Sequence, residues 1–255
     1  MASVTAYADA SGKDGMPVVC VSGVVAYMRR WIKFEQQWNA LLTSEGIKQF
    51  HATDFASSQS EFKAWKGDIK RRGVFFKALV EIIRDNVVTS PLSISIETAD
   101  WVAVNKKYML SEAYHSPYAI CGYAFVGECS RWAAARPKKT RIKFVFEQGD
   151  DEQGLRSLCR KDSVEPIFQS KLAAVPCQAA DLIAWKSRIA CTNSIRLSSR
   201  LDKINNPETT RGLIGKLLKE YASLMKGIPT ELEPRVFSRD NLVDICKRDG
   251  ISTRP

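Results

Sequence analysis

Residues 4–12 read VTAYADASG, and the organisation of the remaining chain follows from this stretch. Small apolar residues at positions 4, 6 and 8 alternate with residues 5, 7 and 9, which is the pattern of a β-strand with two different faces. Because Ser-Gly follows at once, the strand is predicted to end at Asp9 and to present its carboxylate at the edge of a sheet. An Asx turn that merely closes the strand is the alternative role of Asp9.

Further strands and helices follow from the periodicity of the apolar residues. Residues 17–26, PVVCVSGVVA, form a nearly continuous valine-rich run, typical of a central strand that the GKDG connection pairs antiparallel with the first one. Alternation predicts strands at 91–97 and 141–147. Helical spacing predicts helices over 31–45, 74–83, 100 onward, 117–135, 155–159, 177–190 and 210–226. Residues 59–67 are predicted to form a loop, and residues 165–175 an extended segment.

Length and composition indicate a globular protein with one main domain. The chain has 255 residues, of which 45% are hydrophobic and 26% charged. We predict a first domain over residues 1–192 and a mainly helical C-terminal extension over 193–255, with a loop or linker near 194–207 and a last helix capped by Ser238. The apolar runs are too short to cross a bilayer, and the N-terminus lacks a secretory pattern. We therefore expect a cytoplasmic protein with no membrane partner.

Cysteine and histidine usage bears on the kind of metal site that is possible. Seven cysteines occur without any C-x-x-C spacing, which fits reduced thiols in a reducing compartment. Only His51 and His115 are present, so a Cys/His zinc site is disfavoured. If the protein binds a metal, carboxylates are expected to hold it.

The formal charge of +10 and its distribution favour a polyanionic partner. Basic residues cluster at 66–72, 136–143 and 196–203, which together favour RNA or DNA, although each cluster alone is equally consistent with a solvated surface. We predict that four of the basic side chains contact phosphates beside the active site: Lys138, Lys139, Arg141 and Lys171.

Three acidic residues recur at equivalent places in the predicted fold. Glu147 and Asp150 leave a strand as Asp9 does, and Asp181 lies on the helix CQAADLIAWKSRIA on the same side as Gln178 and Arg188. An aspartate among alanine, leucine and isoleucine needs a partner when buried. Oxygen ligands suit Mg²⁺ or Mn²⁺, which could support hydrolysis of a phosphodiester. We predict metal ligation by Asp9, Glu147 and Asp181, with Asp150 in reserve; separate capping or surface roles are the alternative.

His51 and Asp54 are predicted to join the same cleft. They occur in FHATDF, residues 50–55, where phenylalanines on both sides would fix the orientation of the loop. His51 would then orient water or protonate a leaving oxygen, with Asp54 setting its tautomer or acting as an outer metal ligand. The alternative is a histidine that pairs with Asp54 only to stabilise the loop.

Four segments in this order also resemble a known family. Within residues 4–190, these segments read YADASG, FHATDF, FEQGD and PCQAADLIAW. They resemble segments of the bacterial and phage family catalogued as domain of unknown function 3800, which is grouped with the ribonuclease H-like superfamily. The resemblance implies an α/β fold: a mixed sheet with its first strands antiparallel, helices on both faces and acids over adjacent strand ends.

Site residues transfer from this resemblance position by position. Asp9, Glu147 and Asp181 match the family's acids. The recurring polar positions of the family, whose roles are not established, are matched by His51, Asp54, Ser170 and Gln178, and we place Ser170 and Gln178 among the residues that contact the nucleic acid. Ala10 departs from the family's usual D-E-S-G motif, because it replaces the glutamate. The expected function is a metal-dependent nuclease; a nucleic-acid-binding or phage-defence protein without turnover is the alternative.

Overall fold

The computed structural model describes residues 2–13, 15–136, 140–201 and 235–253. Within these residues the fold is α/β, with a six-stranded mixed sheet. The strands are β1 (Ala2–Ser11), β2 (Val18–Tyr27), β3 (Leu92–Glu97), β4 (Thr140–Glu147), β5 (Ile167–Gln169) and β6 (Arg235–Phe237). Their order across the sheet is β5-β4-β1-β2-β3-β6.

The strand directions put two carboxyl ends side by side at the middle of the sheet. β1, β2 and β3 pair antiparallel in turn, which confirms the predicted hairpin. β4 runs parallel to β1, and β5 runs parallel to β4. Ala8 pairs with Phe146, so Asp9, two residues before the end of β1, lies beside Glu147, the last residue of β4.

Helices cover both faces of this sheet. They are α1 (Met28–Ser44), α2 (Ala52–Ser57), α3 (Ile69–Asn86), α4 (Thr98–Lys107), α5 (Leu110–Tyr114), α6 (Pro117–Ala134), α7 (Glu152–Arg160), α8 (Pro176–Leu201) and α9 (Arg239–Arg248). α6 packs on one face against β2, β3 and β4, whereas α8 packs on the other against β1 and β2. The alternation in β1 explains this division, because Val4, Ala6 and Ala8 join the core under α6 while Tyr7 faces the other core.

The core on the α8 face is largely aromatic. Trp31, Phe34 and Trp38 extend along the buried side of α1, and Phe34 stacks on Trp38 with ring centroids 5.0 Å apart. Phe50 touches Trp38 edge-on and also contacts Phe55. Aromatic pairs of this kind add to the apolar area that they bury. They anchor the residues around His51 firmly against α1 and the sheet.

The structure corrects three predictions made from sequence. Residues 59–67 are not simply a loop, because Ser60–Trp65 form a 3-10 helix that buries Phe62 and Trp65. The helix predicted over 177–190 continues to Leu201, so residues 194–201, predicted to form a loop or linker, are helical. The C-terminal segment also contributes strand β6 to the sheet, beside β3. The helix predicted from residue 210 lies outside the described residues.

The sequence also predicted reduced cysteines and no membrane-spanning segment. All seven cysteines are free, and every one except Cys191 is buried. Among the described residues, no helix combines the length and the apolar character needed to cross a bilayer.

Candidate active site

Asp9 and Glu147 are delivered to the site by the parallel pairing of β1 and β4. Both side chains lie on the face of the sheet that α8 covers. The turn after Asp9 requires glycine, because Gly12 has a φ of +103° and a Cβ there would lie 2.1 Å from the carbonyl oxygen of Val18. The Ser-Gly that follows Asp9 in the sequence thus has a physical reason.

Asp181 is brought to the same point by α8. Small residues at positions 179, 180 and 184 let this helix approach β1 and β2 closely, and the Asp181 side chain is buried. The distances from Nζ of Lys171 to the three acids show how closely the acids converge. It lies 3.2 Å from Asp9 Oδ2, 2.5 Å from Glu147 Oε2 and 3.7 Å from Asp181 Oδ2. The three carboxylates predicted from sequence therefore meet in one place.

Asp9 is the most deeply buried of these acids, with 3% of its surface exposed. Its Oδ1 accepts a hydrogen bond of 2.7 Å from the backbone N–H of Ala10. Its Oδ2 is in ion-pair range of Lys171, but the angles are not those of a hydrogen bond, so this oxygen has no hydrogen-bond partner. Burial raises the pKa of Asp9 well above its ordinary value, and the ammonium of Lys171 opposes that shift only in part.

Lys171, predicted to contact phosphate beside the site, occupies the centre of the acidic cluster. It is 6% exposed. Burial alone lowers the pKa of Lys171, but the charges of Asp9, Asp181 and Glu147 outweigh this and raise it above its ordinary value. The lysine therefore stays charged. Among the described residues, no group of three or more His, Cys, Asp or Glu side chains could hold a metal ion as the side chains now lie.

Gln178 organises the site from beneath and is not available to a substrate. Its Oε1 accepts hydrogen bonds of 2.9 Å from Trp38 Nε1 and from the backbone N–H of Phe50. Its Nε2 donates to the carbonyl oxygen of Lys171 at 3.1 Å. Gln178 is 2% exposed, and its amide is already engaged by these three hydrogen bonds. The residue ties together α1, the segment before His51 and the turn that carries Lys171.

Replacing Gln178 tests this structural role. Gln178→Leu keeps the size of the side chain but leaves two buried donors without acceptors, so we expect a loss of about 2–4 kcal/mol in the free energy of unfolding. Urea denaturation measures it. The control is Gln36→Leu on the exposed side of α1, where we expect a change within about 0.5 kcal/mol. A loss at position 178 no larger than at position 36 would contradict the proposed role.

His51 lies in the same cleft as the carboxylates. The backbone N–H of Ala52 donates a 2.7 Å hydrogen bond to Asp181 Oδ2, which fixes the start of α2 next to the acids. His51 Nδ1 lies 3.3 Å from Asp54 Oδ2. The side chain of His51 is 41% exposed and reaches open solvent at the mouth of the site. The ring is thus oriented by Asp54 and accessible to a ligand.

Two clefts meet at His51, Glu147 and Lys171. The larger has a volume of about 480 Å³ and is also lined by Asp9, Asp150 and Asp181, together with the cationic side chains of Lys13 and Arg188. The smaller, about 400 Å³, extends past Asp54 and Glu61. The reserve ligand Asp150 is therefore at the site, and burial followed by the charge of Glu147 raises its pKa.

The structure adds two cations to the site that sequence reasoning did not assign to substrate. Arg188 donates from Nε to Ser11 Oγ at 2.9 Å, which holds it over the end of β1. The helical spacing of the sequence already placed Arg188 on the same side of α8 as Asp181. Lys13 lies in the connection after β1, and nothing in its local sequence separates it from other surface lysines.

The other predicted phosphate contacts do not lie at the site. Arg141 is exposed near the start of β4, six residues before Glu147, which corresponds to about 20 Å along a strand. Arg141 lies at the start of this strand and Glu147 at its end, so the two side chains are at opposite ends of β4. Lys138 and Lys139 lie outside the described residues. Ser170 stabilises the turn before α8, where its Oγ accepts from the backbone N–H of Ala173 at 3.2 Å.

The sequence was also compared with known families and proteins. No family model and no curated protein matches this chain. Function is therefore inferred from the chemistry of the site: three converging carboxylates, a buried ammonium, an accessible histidine and two cations over an open cleft.

Proposed function

We propose that the protein is a divalent-metal-dependent phosphodiester hydrolase, a nuclease of RNA or DNA that uses Mg²⁺ or Mn²⁺. The observation that carries this proposal is the convergence of Asp9, Glu147 and Asp181 on one point at the floor of an open cleft. Separate capping or surface roles would not bring three acids from β1, β4 and α8 together.

An ion bound at this point would take the place of Lys171 Nζ, because that nitrogen lies among the three acids. Mg²⁺ and Mn²⁺ prefer carboxylate oxygens, and the acids here offer oxygen donors of that kind. Asp9 Oδ2 is a buried oxygen without a hydrogen-bond partner, which is the state that ligation would relieve. Asp9, Glu147 and Asp181 would hold the ion, and Asp150 stands beside them in the cleft. A bound ion would neutralise phosphate charge and lower the pKa of water.

The protein's own side chains supply the remaining requirements of hydrolysis. Arg188 and Lys13 in the larger cleft would bind phosphate oxygens and set the path of the nucleic-acid backbone. His51, oriented by Asp54, would take a proton from attacking water or give one to the leaving oxygen. Both tasks need an accessible ring, and His51 has one.

The fold is consistent with the finer assignment to a ribonuclease H-like type, which we include in the proposal. The family resemblance implies three features: antiparallel pairing of β1, β2 and β3, helices on both faces of the sheet, and acids over adjacent strand ends. Their joint presence supports this assignment and membership of the domain of unknown function 3800 family.

A nucleic-acid-binding or phage-defence protein without turnover is the second candidate. It is favoured by Ala10, which stands where the family usually has a glutamate, and by Lys171, whose ammonium already pairs with all three acids. Such a protein would bind nucleic acid equally well with or without divalent ions.

A cleavage assay with the full chain separates the two candidates. End-labelled RNA, DNA and RNA–DNA hybrid are incubated with Mg²⁺, Mn²⁺ or EDTA, and binding is measured in parallel under each condition. The nuclease proposal expects cleavage of at least one substrate with a divalent ion and none in EDTA. Binding without cleavage under every condition would reject it in favour of the second candidate.

A further inference from the structure

A basic surface lies beside the smaller cleft. It is formed by residues 63–72, which are the end of the 3-10 helix Ser60–Trp65 and the start of α3, and which carry five cations and one acid. The first three residues of that 3-10 helix line the smaller cleft together with His51. The basic cluster predicted from sequence at 66–72 therefore continues the cleft on the side away from β1.

The two arginines of the basic surface fix it next to the site. Arg72 donates from Nη2 to the carbonyl oxygen of Ala56 at 3.0 Å, near the end of α2. Arg71 donates from Nε and Nη2 to Glu45 Oε2 at 3.0 Å and 2.7 Å. Because a helix rises about 1.5 Å per residue, Ala56 lies about 8 Å along α2 from His51. The basic surface thus begins close to the histidine of the cleft.

The three lysines of the basic surface have no such anchor. Within the described part of the chain, no salt bridge or hydrogen bond engages the exposed ammonium of Lys63, Lys66 or Lys70. The nearby acids are occupied by the protein's own backbone. Asp68 Oδ1 accepts a 2.9 Å hydrogen bond that caps α3, and Glu61 Oε2 accepts from two backbone N–H groups at 2.9 Å and 3.2 Å. Three ammonium groups therefore remain for an external anion.

The placement of these charges does not serve folding. Lys70 lies in the first turn of α3, where the positive end of the helix dipole disfavours a cation. Like charges gathered in one place also repel each other. Since Asp68 already caps the helix, the lysine side chains and not the end of α3 are the groups that an anion would contact. An anionic ligand gives these lysines a role that stability does not.

We infer that the backbone of the nucleic-acid substrate leaves the site through the smaller cleft and crosses the basic surface, where Lys63, Lys66 and Lys70 contact its phosphates. This inference rests on the proposed function, because it takes RNA or DNA as the ligand, and it adds a binding surface outside the two clefts. Phosphate contacts carry no base preference and weaken with salt. The basic surface therefore positions the strand and does not touch the reacting atoms.

Binding of labelled nucleic acid in EDTA tests the basic surface without turnover. The full chain is compared with the surface variant, in which Lys63, Lys66 and Lys70 are all replaced by glutamine, using fluorescein-labelled single-stranded RNA and DNA long enough to extend beyond the cleft. The surface variant should bind about tenfold more weakly, because three exposed ion pairs are lost. The slope of log K against log salt should become shallower by about 2, since each contact with a single strand contributes about 0.7.

The control variant removes the same charge from another part of the protein. Its three glutamines replace Lys106 and Lys107 on α4 and Lys247 on α9, which are all exposed. The buried residues of α4 and α9 belong to the core on the α6 face, whereas those of the 3-10 helix and α3 belong to the core on the α8 face. Affinity and salt slope should stay at their wild-type values.

Lysine acetylation of wild type gives a second measurement that needs no folded variant. Bound RNA or DNA should protect Lys63, Lys66 and Lys70 from an acetylating reagent, as read by mass spectrometry. Lys106 and Lys247 should react equally in the free and the bound protein. Where a divalent ion supports cleavage, the surface variant should lower kcat/KM chiefly through a higher KM, because these contacts are the same in the bound substrate and in the transition state.

Each outcome decides the inference. Equal binding by wild type and the surface variant, equal losses in the surface and control variants, or unprotected lysines would overturn it and leave the nuclease proposal intact. A loss confined to the surface variant, without cleavage under any metal condition, would support the basic surface and overturn the nuclease proposal. Absence of nucleic-acid binding by wild type would overturn both. Binding of wild type to phosphatidylserine vesicles but not to nucleic acid would assign the lysines to a membrane and overturn it as well.

Discussion

Asp9→Asn is expected to lower divalent-dependent cleavage by about 10³-fold or more. Loss of a carboxylate that holds the ion removes several kcal/mol of transition-state stabilisation, and each 1.36 kcal/mol is tenfold in rate. The variant should also lose the rise in melting temperature that Mg²⁺ or Mn²⁺ gives to wild type. Asp85→Asn, on the exposed side of α3, is the control and should retain both properties.

The same variant is expected to be at least as stable as wild type when metal is absent. Burial raises the pKa of Asp9 above its ordinary value of 3.8, so this group favours folding fully below about pH 4. Its contribution is lost as pH rises through the folded-state pKa. Asparagine has no such loss, so the free energy of unfolding in EDTA should shift in favour of Asp9→Asn as the pH rises above about 4.

Urea denaturation of the two proteins in EDTA, at several pH values, measures this difference. A variant that lost stability relative to wild type as the pH rose would contradict the account of Asp9. Retained divalent-dependent cleavage would contradict its place among the metal ligands.

His51→Ala is expected to lower cleavage by about 10²-fold with no loss of stability. A general acid or base typically contributes 10² to 10⁴. The ring is 41% exposed, and although His51 precedes α2, its side chain makes no capping hydrogen bond to that helix. Little folding energy therefore depends on the imidazole.

Cleavage rate and melting temperature measured side by side decide the role of His51. His115→Ala is the control, because this exposed histidine lies between α5 and α6, away from the site. A His51 variant with a lowered melting temperature but full turnover per folded molecule would show that the histidine serves stability alone.

Much of the fold was predictable because its signals are local. Alternation identified β1, β3 and β4, and apolar periodicity identified α1, α3 and α6, because burial of one face imposes these periods on neighbouring residues. β6 is only three residues long and pairs with a strand some 140 positions earlier in the chain. A segment this short has no periodicity to recognise, and the contact that makes it a strand is entirely long-range.

The sequence allowed the three acids of the site to be predicted, whereas the residues around them were harder to predict. Asp9 and Glu147 end strands, and Asp181 is a charged residue on a buried helix, so each stands out from its neighbours. Lys171 lies in an irregular turn, where nothing local indicates burial among three acids. Gln178 was singled out correctly as unusual, but a buried amide and a substrate-binding amide have the same sequence pattern.

The arrangement of the α8 face shows why these surroundings need tertiary structure. The hydrogen bonds of Gln178 join residues 128 and 140 positions apart in the chain. Asp181 likewise fixes the start of α2 through the backbone N–H of Ala52. Such contacts determine which polar groups are already satisfied and which face the cleft, and that distinction separates structural from functional residues.

The central claim is that Asp9, Glu147 and Asp181 hold a divalent ion. Crystals of the protein soaked in Mn²⁺ test it most directly, because anomalous scattering locates the ion independently of any assay. We expect a strong peak, from one or two ions, within direct ligation distance of oxygens from these carboxylates, about 2.1–2.2 Å. No peak at the site under saturating Mn²⁺, or a peak bound only by other residues, would contradict it.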